Sequence, residues 1–355
     1  MQHRRRAPRL ARVTGALLAW YDVHRRDLPW RAKPGQASDP YRVWLSEIML
    51  QQTTVAAVAP YYRSFLARWP DVGGLAAASQ DDVLSAWAGL GYYSRARNLH
   101  RAAQMVTREF GGVFPGNSAA LRKLPGIGVY TAGAIAAIAF GECVPAMDAN
   151  AARVMARLFA VEEKLPQAKA KLALLTEPLV PKDRPGDFAQ GLMDLGSAIC
   201  LPRRPLCGEC PLAPDCEARR QGIAERLPVR AAKRARPLKR GAAFVAMDGN
   251  GAVYLVRRPE NGLLGGMLQP PLGAWGSAFP DRRIALTEAP FAGHWRKKPG
   301  IVRHGFTHFE LEIEVYVGRF RARPNGEGIW LTAAEISRAA LPTVMRKLID
   351  HALVW

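Results

Sequence analysis

The spacing of apolar and polar residues changes once along this chain. Over roughly residues 10 to 218, apolar positions recur at helical intervals, Ala, Leu and Arg dominate, and β-branched runs are absent. Short segments rich in Gly, Pro and Asp separate the apolar stretches: SDP before Tyr41, WPDVGG after Phe65, FGGVFPGN after Met105 and PG after Leu124. The pattern predicts an all-helical domain.

Beyond residue 240 the period becomes two. GAAFVAMDGNGAVYLVRRP predicts two strands joined by a turn at Asp248 to Gly251, and FTHFELEIEVYVGRF alternates again before a final helix, LPTVMRKLIDHALVW. The intervening QGIAERLPVRAAKRARPLKR is basic and poor in large apolar residues, as linkers are. We therefore expect a multidomain protein: an all-α domain over 10–218, a basic linker over 219–240 and an α/β domain over 241–355.

Size and charge narrow the class. At 355 residues, with 49% hydrophobic residues, the chain is long enough for two domains, and no apolar run reaches the roughly 18 residues of a membrane span. No secretory signal follows the basic N-terminus MQHRRRAPRLAR, which reads as a frayed tail, so a cytoplasmic protein without a membrane partner is expected. The net charge of +20 favours an acidic partner, most commonly nucleic acid.

Four of the five cysteines lie close together. Cys200, Cys207, Cys210 and Cys216 fall within 17 residues, and a cytoplasmic chain favours a metal or cluster site over disulfides. Zinc sites usually pair two Cys-x2-Cys knuckles, whereas this loop has one such pair with outer spacings of six and five, which suits an iron–sulfur cluster. Zinc and unliganded thiols remain alternatives. Cys143 has no companion and is predicted to be an ordinary buried thiol.

A glycine turn lies in LPGIGVYTAGAIAAIAF, from Leu124 to Phe140. Gly126 and Gly128 permit positive φ and close backbone approach, and a small-residue helix is predicted to begin near Tyr130. The free amides at the start of that helix can hold a phosphate. The alternative is a plain hairpin of two helices.

Two carboxylates stand out. Glu47 lies within PYRVWLSEIMLQQT, which otherwise suits an apolar helix, and burial there would raise its pKa and keep the proton that a general acid needs. The alternative is a solvent-exposed glutamate beside Gln51. Asp148, in VPAMDANAARVMARLF, precedes a helical pattern and is predicted to be an N-cap. An ionised carboxylate there could also stabilise an oxocarbenium-like sugar.

The order of these segments resembles the helix-hairpin-helix DNA glycosylases with a four-cysteine cluster, the superfamily of endonuclease III. Within it the chain is similar to the MutY family of adenine DNA glycosylases, over roughly residues 14 to 320. The motifs that carry the resemblance are LPWR, VWLSEIMLQQT, GLGYYSRARNLH, LPGIG with YTAGAI, MDAN, FAQGLMDLGSAIC, the cysteine loop and FTHF.

The resemblance implies a monomeric enzyme of base excision repair, associated with the bacterial nucleoid, that removes adenine opposite 8-oxoguanine or guanine in double-stranded DNA. It implies a 4Fe–4S cluster on the four cysteines and a Nudix-like C-terminal domain. Its catalytic residues would be Glu47 as general acid, Asp148 as stabiliser of the sugar cation, and Tyr130 and Asn150 as their helpers. The remaining implied contacts are Gln190, Trp30 and Arg31 with the flipped adenine, Gln51 and Tyr92 as wedges in the duplex, Gly126 and Gly128 with phosphate, and Thr307 and His308 with the lesion.

Departures from the family pattern separate the possible functions. Bifunctional relatives carry a nucleophilic lysine where this chain has Tyr130, so we expect a monofunctional glycosylase. Ala149 replaces a glycine and Thr307 a serine, whose hydroxyl function it keeps. The Nudix catalytic box is absent after residue 240, so this domain is expected to read the lesion and not to hydrolyse nucleotides. The alternatives are a bifunctional enzyme acting on damaged pyrimidines and a non-catalytic iron–sulfur DNA-binding protein.

Overall fold

The structure is a computed structural model that describes residues 2–231, 235–260 and 262–354, with side chains from residue 9 onward. The chain forms two compact units, one of Met1–Ala77 with Asn98–Ala232 and one of Ala78–Arg97 with Lys233–Trp355. The second unit thus includes a segment from the middle of the predicted helical domain. Arg257 binds the carboxylate of Asp81 with both Nη atoms, at 2.9 and 2.8 Å, within this second unit.

The helical elements follow the predicted punctuation. In chain order they are α1 Gln2–His24, α2 Pro40–Leu50, α3 Val55–Arg68, α4 Val72–Ala77, α5 Gln80–Ala86, α6 Ser94–Phe110, α7 Ser118–Leu121, α8 Val129–Phe140, α9 Ala149–Leu158, α10 Lys169–Thr176, α11 Pro185–Ala198, α12 Glu217–Arg220, α13 Arg282–Thr287, α14 Ala333–Arg338 and α15 Thr343–Leu353. The strands are β1 Leu238–Met247, β2 Val253–Arg257, β3 Leu268–Gln269, β4 Trp295–Lys297, β5 Val302–Gly305, β6 Glu310–Arg319 and β7 Ile329–Leu331.

Side-chain caps fix where the helices of the site begin. Asp39 accepts the amides of Tyr41 and Arg42 at the start of α2, where Pro40 supplies the φ that a first helical residue needs. Asp148 accepts the amide of Ala151 at 2.6 Å at the start of α9, which confirms the predicted N-cap. These caps set the position of the chain just before each helix.

The core of the first unit lies between α1, α9, α10 and α11. Its buried residues include Leu17, Met155, Leu172, Phe188 and Leu195. Close helix contacts require small residues: a Cβ on Gly196 would lie 2.5 Å from the Cβ of Asn150, so α11 approaches α9 at the turn that carries Asp148. Packing of α11 therefore helps to position the start of α9.

In the second unit the strands form a mixed sheet of order β3-β2-β1-β6-β4, with β5 paired to β6 and β7 to β2. Strands β1 and β6 run parallel over ten residues, from Leu238 beside Glu310 to Met247 beside Arg319. The last seven residues of β1 are all buried because α15 covers one face and α13 the other. The predicted strands, turn and closing helix are confirmed.

Among the described residues, no helix is long and apolar enough to span a membrane.

Candidate active site and cluster loop

Glu47 lies in the buried centre of α2, where only 6% of the residue is exposed. Its Oε2 accepts a 2.7 Å hydrogen bond from the hydroxyl of Tyr130. Burial raises the pKa of Glu47 to about 7; the Tyr130 hydrogen bond opposes that rise, and the negative charge of Asp148 adds to it. The side chain can therefore hold a proton near neutral pH and release it to a bound group.

Tyr130 is the second residue of α8, and this helix packs on α2. Burial raises the pKa of its hydroxyl well above the usual value, and the neighbouring carboxylates of Glu47 and Asp148 add to the effect. The hydroxyl thus stays protonated and acts as a hydrogen-bond donor. A lysine at this position would instead face Glu47 as an amine.

Asp148 is held by two hydrogen bonds from the first turn of α9. The amide of Ala151 and Nδ2 of Asn150 donate to its two carboxylate oxygens, at 2.6 and 2.9 Å. Burial raises the pKa of Asp148, and these hydrogen bonds, with the charge of Arg153, act against the rise. The result is a fixed carboxylate at the positive end of a helix, suited to stabilise a nearby cation.

Arg153 connects this carboxylate to the cysteine loop. Its Nη2 donates to Oδ1 of Asn150 at 2.9 Å and to the carbonyl of Gly196 at 2.6 Å. Its Nε donates to the carbonyl of Cys200 at 2.7 Å. Asn150 is therefore fixed between Asp148 and Arg153, so its amide presents a donor and not an acceptor to the carboxylate.

A cavity opens beside Glu47. The residues that line it include the predicted Trp30, Arg31 and Gln190, together with Arg26, Leu28, Val43, Leu50, Ile138 and Met193. Nε2 of Gln190 donates to the carbonyl of Gly186 at 3.3 Å, and Trp30 packs edge-on against Tyr62. This mixture of apolar walls and a few polar groups suits a planar heterocycle.

Asp194 was missed from the sequence. It is 1% exposed, and its carboxylate accepts two hydrogen bonds from Arg31, at 2.6 and 2.9 Å, and one from Nε of Arg26, at 2.5 Å. Burial raises the pKa of Asp194, but the hydrogen bond and charge of Arg31 outweigh it, and the pKa lies below the usual value. The spacing of four from Gln190, which puts both on one face of α11, could have revealed it.

The two glutamines after α2 differ. Nε2 of Gln51 donates to Oγ1 of Thr131 at 3.1 Å and is half-buried. Gln52 is exposed and has a φ of 61°, a conformation that residues other than glycine rarely adopt. Strain of this kind often occurs at functional positions, which makes Gln52 a candidate site residue that the sequence did not indicate.

Tyr92 and Thr307 meet within the second unit. The hydroxyl of Tyr92, which is 45% exposed, lies 2.9 Å from Oγ1 of Thr307. Thr307 and the exposed His308 occupy the loop between β5 and β6, just before the strand that begins at Glu310. The ring of Tyr92 also lies over the guanidinium of Arg95, at 5.5 Å.

The hairpin between α7 and α8 contains both predicted glycines. Gly126 has a φ of 79°, and a Cβ there would lie 2.8 Å from the Cβ of Asn98, which confirms the need for glycine. Gly128 has a φ of −86° and does not use the positive φ that glycine permits. It is instead the N-cap of α8 without a side-chain cap, and a Cβ there would meet open space. The first amides of α8 are thus left for a ligand.

The four clustered cysteines are free thiols that line one cavity, together with Arg157. Nη1 of Arg157 lies 3.2 Å from Sγ of Cys200, so a buried cation faces the sulfur set. Burial raises the pKa of Cys210 to about 11, and the other three thiols add to the effect. Four cysteine sulfurs could ligate the iron atoms of an iron–sulfur cluster, and the guanidinium of Arg157 could neutralise part of the cluster's negative charge.

Cys143 does not belong to this set. It is exposed, with Sγ 3.7 Å from the carbonyl of Pro181. The prediction of a buried thiol is wrong because the residue lies in the irregular segment between α8 and α9, where the backbone leaves its side chain at the surface.

Sequence profiles of three known families match the chain. The profile described as HhH-GPD superfamily base excision DNA repair protein matches residues 45–181, that of the iron-sulfur binding domain of endonuclease III matches residues 200–216, and that of the NUDIX domain matches residues 242–351. The class is therefore a helix-hairpin-helix DNA repair glycosylase with a cluster loop and a Nudix-like C-terminal domain. The predicted fold class and the 4Fe–4S cofactor are confirmed.

Individual relatives agree with this class. The adenine DNA glycosylase of Homo sapiens is 36% identical, over 94% of this chain and 72% of that protein. The adenine DNA glycosylase of Buchnera aphidicola subsp. Acyrthosiphon pisum is 31% identical, over 94% of this chain and 96% of that protein. A solved structure of a thermostable thymine-DNA glycosylase is similar, with a TM-score of 0.55 and 31% identity, over 60% of this chain and 98% of that chain. The chain belongs to the adenine DNA glycosylase family.

Proposed function

We propose that this chain is a monofunctional glycosylase that hydrolyses the N-glycosidic bond of adenine opposite 8-oxoguanine or guanine in double-stranded DNA. The observation that carries the proposal is the buried Glu47, whose pKa of about 7 lets it hold a proton beside a cavity lined by Trp30, Arg31 and Gln190. Action on DNA places the enzyme with the chromosome, in the cytoplasm of a bacterial cell. It acts as a monomer, since all the proposed catalytic residues belong to one unit.

Glu47 supplies the proton that makes adenine a leaving group. With adenine flipped into the cavity, the carboxyl proton moves to a ring nitrogen of the base, and the bond from the sugar to the base breaks with both electrons going to adenine. Burial makes the ionised form of Glu47 costly, and the hydrogen bond from Tyr130 then stabilises the carboxylate that remains. Neutral adenine leaves with the transferred proton.

Asp148 stabilises the oxocarbenium-like sugar that results. Its carboxylate is fixed by Ala151 and Asn150, so little reorganisation accompanies the appearance of positive charge. A water molecule adds to the sugar carbon and gives up a proton to the now ionised carboxylate of Glu47, which restores the enzyme. The products are free adenine and an abasic site.

Strand cleavage is not part of the proposed reaction. An amine nucleophile would have to attack the sugar, and none of the described residues lining the cavity is a lysine. The lysine nearest in sequence, Lys123, is exposed between α7 and α8. Tyr130, at the position where bifunctional relatives have lysine, keeps its proton and donates a hydrogen bond to Glu47.

Several groups are proposed to hold the DNA and the extruded base. The amides at Gly128, with Gly126 shaping the turn, bind phosphate, and Trp30, Arg31 and Gln190 contact adenine in the cavity. Gln51 and Tyr92 insert into the duplex, as the resemblance implies. Gln52, which is exposed and has a positive φ, follows Gln51 directly and helps to fill the space that the flipped base leaves. Thr307 and His308 read 8-oxoguanine from their exposed loop.

The test is a substrate panel under single-turnover conditions. Duplexes of equal length carry A opposite 8-oxoguanine, A opposite G, A opposite T or T opposite G, and free base is measured by chromatography. The proposal predicts adenine release from the first two and intact strands until alkali is added. Release of thymine from the T:G duplex, without release of adenine from the others, would overturn the proposed substrate. Stoichiometric trapping of a covalent enzyme–DNA adduct by borohydride would overturn the monofunctional mechanism.

A further inference from the structure

Asp215 lies directly before the cluster ligand Cys216, and its side chain is only 7% exposed. Two arginines of α1 cover it. Nε of Arg12 donates to Oδ2 at 2.8 Å, and Nη2 of Arg12 donates to Oδ1. Nη2 of Arg9 donates to the backbone carbonyl of Asp215 at 2.6 Å, and its Nε lies 3.6 Å from Oδ1. Both the side chain and the backbone before Cys216 are thus held by one helix.

Helix α1 is itself anchored along its length. Val13 and Leu17 are buried in the core of the first unit, and Oγ1 of Thr14 donates to the carbonyl of Leu179 at 2.7 Å. At its other end, Asp22 accepts from both Nη atoms of Arg184. Because α1 is fixed in this way, its contacts with Asp215 can resist displacement of the cysteine loop.

The N-terminal basic segment therefore does more than the predicted frayed tail. Its residues from Arg9 onward are helical and engaged, and the side chains of Arg4, Arg5 and Arg6 lie outside the described residues. Arg12 is 62% exposed although its partner is buried, so the pair is open to ions from solution on one side only.

We propose that Arg9 and Arg12 are positioning residues for the iron–sulfur cluster, and that α1 acts as a strap which keeps the segment of Cys216 closed over the cluster through Asp215. Removal of the arginines breaks the hydrogen bonds that hold the segment of Asp215 and Cys216 to α1, and the segment is then free to move away from the cluster. Opening of that segment exposes the cluster to solvent and to chelators. The proposal concerns the cofactor and does not depend on which base the enzyme removes.

The test compares cluster loss from purified holoprotein. The variants are Arg9→Gln/Arg12→Gln, Asp215→Asn and the triple combination, and the readout is the decay of the cluster's visible absorbance after an iron chelator is added at low salt. The matched control is Arg220→Gln, because Arg220 pairs with Glu217, which follows Cys216 in the sequence, and makes no contact with Asp215 in this pair. It removes an exposed arginine beside the same ligand and leaves the strap intact.

The strap predicts that the double variant loses its cluster about fivefold faster or more, on the scale of a hydrogen-bonded charged pair. Asp215→Asn gives a smaller acceleration in the same direction, and the triple variant is no faster than the double variant because both changes remove one interaction. Added salt accelerates loss from the wild type toward the rate of the double variant, whose own rate changes little.

Equal decay of the wild type and the double variant would overturn the proposal. So would an equal acceleration in Arg220→Gln, which would attribute the effect to net charge near the cluster. The melting temperature of the double variant separates the strap from general unfolding: faster cluster loss at an unchanged melting temperature supports the strap, and loss that only follows a lowered melting temperature contradicts it.

Discussion

The hydroxyl of Tyr130, on α8, donates a 2.7 Å hydrogen bond to Oε2 of the buried Glu47, on the neighbouring α2. This one contact acts against the burial that raises the pKa of Glu47 to about 7. Without the apolar surroundings the carboxyl would be ionised at neutral pH, and without Tyr130 the carboxylate left after proton transfer would be less stable. The two residues together set the pH at which the acid can work.

Tyr130→Phe should move the alkaline limb of the pH–rate profile to higher pH. The hydrogen bond favours ionised Glu47, so its loss raises the pKa of Glu47, and activity that needs the protonated acid then persists to higher pH. Single-turnover adenine release between pH 5 and 9 measures this shift. Tyr41→Phe is the matched control, because Tyr41 donates to the carbonyl of Trp69 at 2.9 Å and does not contact Glu47. An unchanged or acid-shifted limb in Tyr130→Phe would contradict the role given to its hydroxyl.

Glu47→Gln should stabilise the fold at alkaline pH. The folded-state pKa of about 7 is above that of the unfolded chain, so the folded state binds the proton more tightly, and its stability falls as pH rises from the unfolded value through 7. The loss is on the order of 3 kcal/mol above pH 7 and absent below pH 4. Thermal unfolding at pH 4 and pH 8 measures this loss. The melting temperature of the variant should exceed that of the wild type at pH 8 but not at pH 4. An equal gain at both pH values would mean that Glu47 titrates normally.

Asp194→Asn should destabilise the first unit and disturb the base cavity. Arg31 and Arg26 hold the pKa of this buried carboxyl below its usual value, so its contribution to stability is present above the unfolded-state pKa and is lost as pH falls through the folded-state value. Removing one partner of a buried pair costs about 3–5 kcal/mol. Asp22→Asn, which affects an exposed pair with Arg184, should cost about 1 kcal/mol or less. Denaturant unfolding at pH 7 compares the two, and similar losses would refute the importance given to Asp194.

Tyr92→Phe and Thr307→Val should lower the preference for 8-oxoguanine over guanine, and their effects should not add. Each change removes one side of the same 2.9 Å contact, so the double variant should resemble the stronger single variant. The ratio of adenine release from A:8-oxoguanine and A:G duplexes, measured for the four proteins, gives the coupling. Additive effects would mean that the two hydroxyls act separately on DNA.

The sequence predicted the helical and α/β regions because the apolar period changes from that of helices to that of strands near residue 240. It also indicated Glu47 and Asp148, since an acid within an apolar helix and an acid before a helix are both visible in one dimension. The Tyr130–Glu47 hydrogen bond and the Arg153 link to Cys200 join residues far apart in sequence, and spacing alone does not reveal them.

Other features depend on conformation that side-chain chemistry does not encode. The positive φ of Gln52 differs from what its residue type favours, and the φ of Gly128 is one that any residue could adopt, so neither could be inferred from the residue types. In the sequence Asp194 is one of several polar residues of α11. Its importance appears only in the structure, where Arg26 and Arg31 donate hydrogen bonds to its carboxylate. Arg9 and Arg12 read as a basic tail for the same reason: their shared partner Asp215 is more than two hundred residues away.

The most direct test of the central claim is single-turnover adenine release by Glu47→Gln on an A:8-oxoguanine duplex at pH 7, with binding to the same duplex measured in parallel. Glutamine keeps the size of the side chain and can still accept from Tyr130, but it has no proton to transfer. The account predicts retained DNA binding and loss of adenine release by at least about a hundredfold. Release at the wild-type rate would show that Glu47 is not the acid.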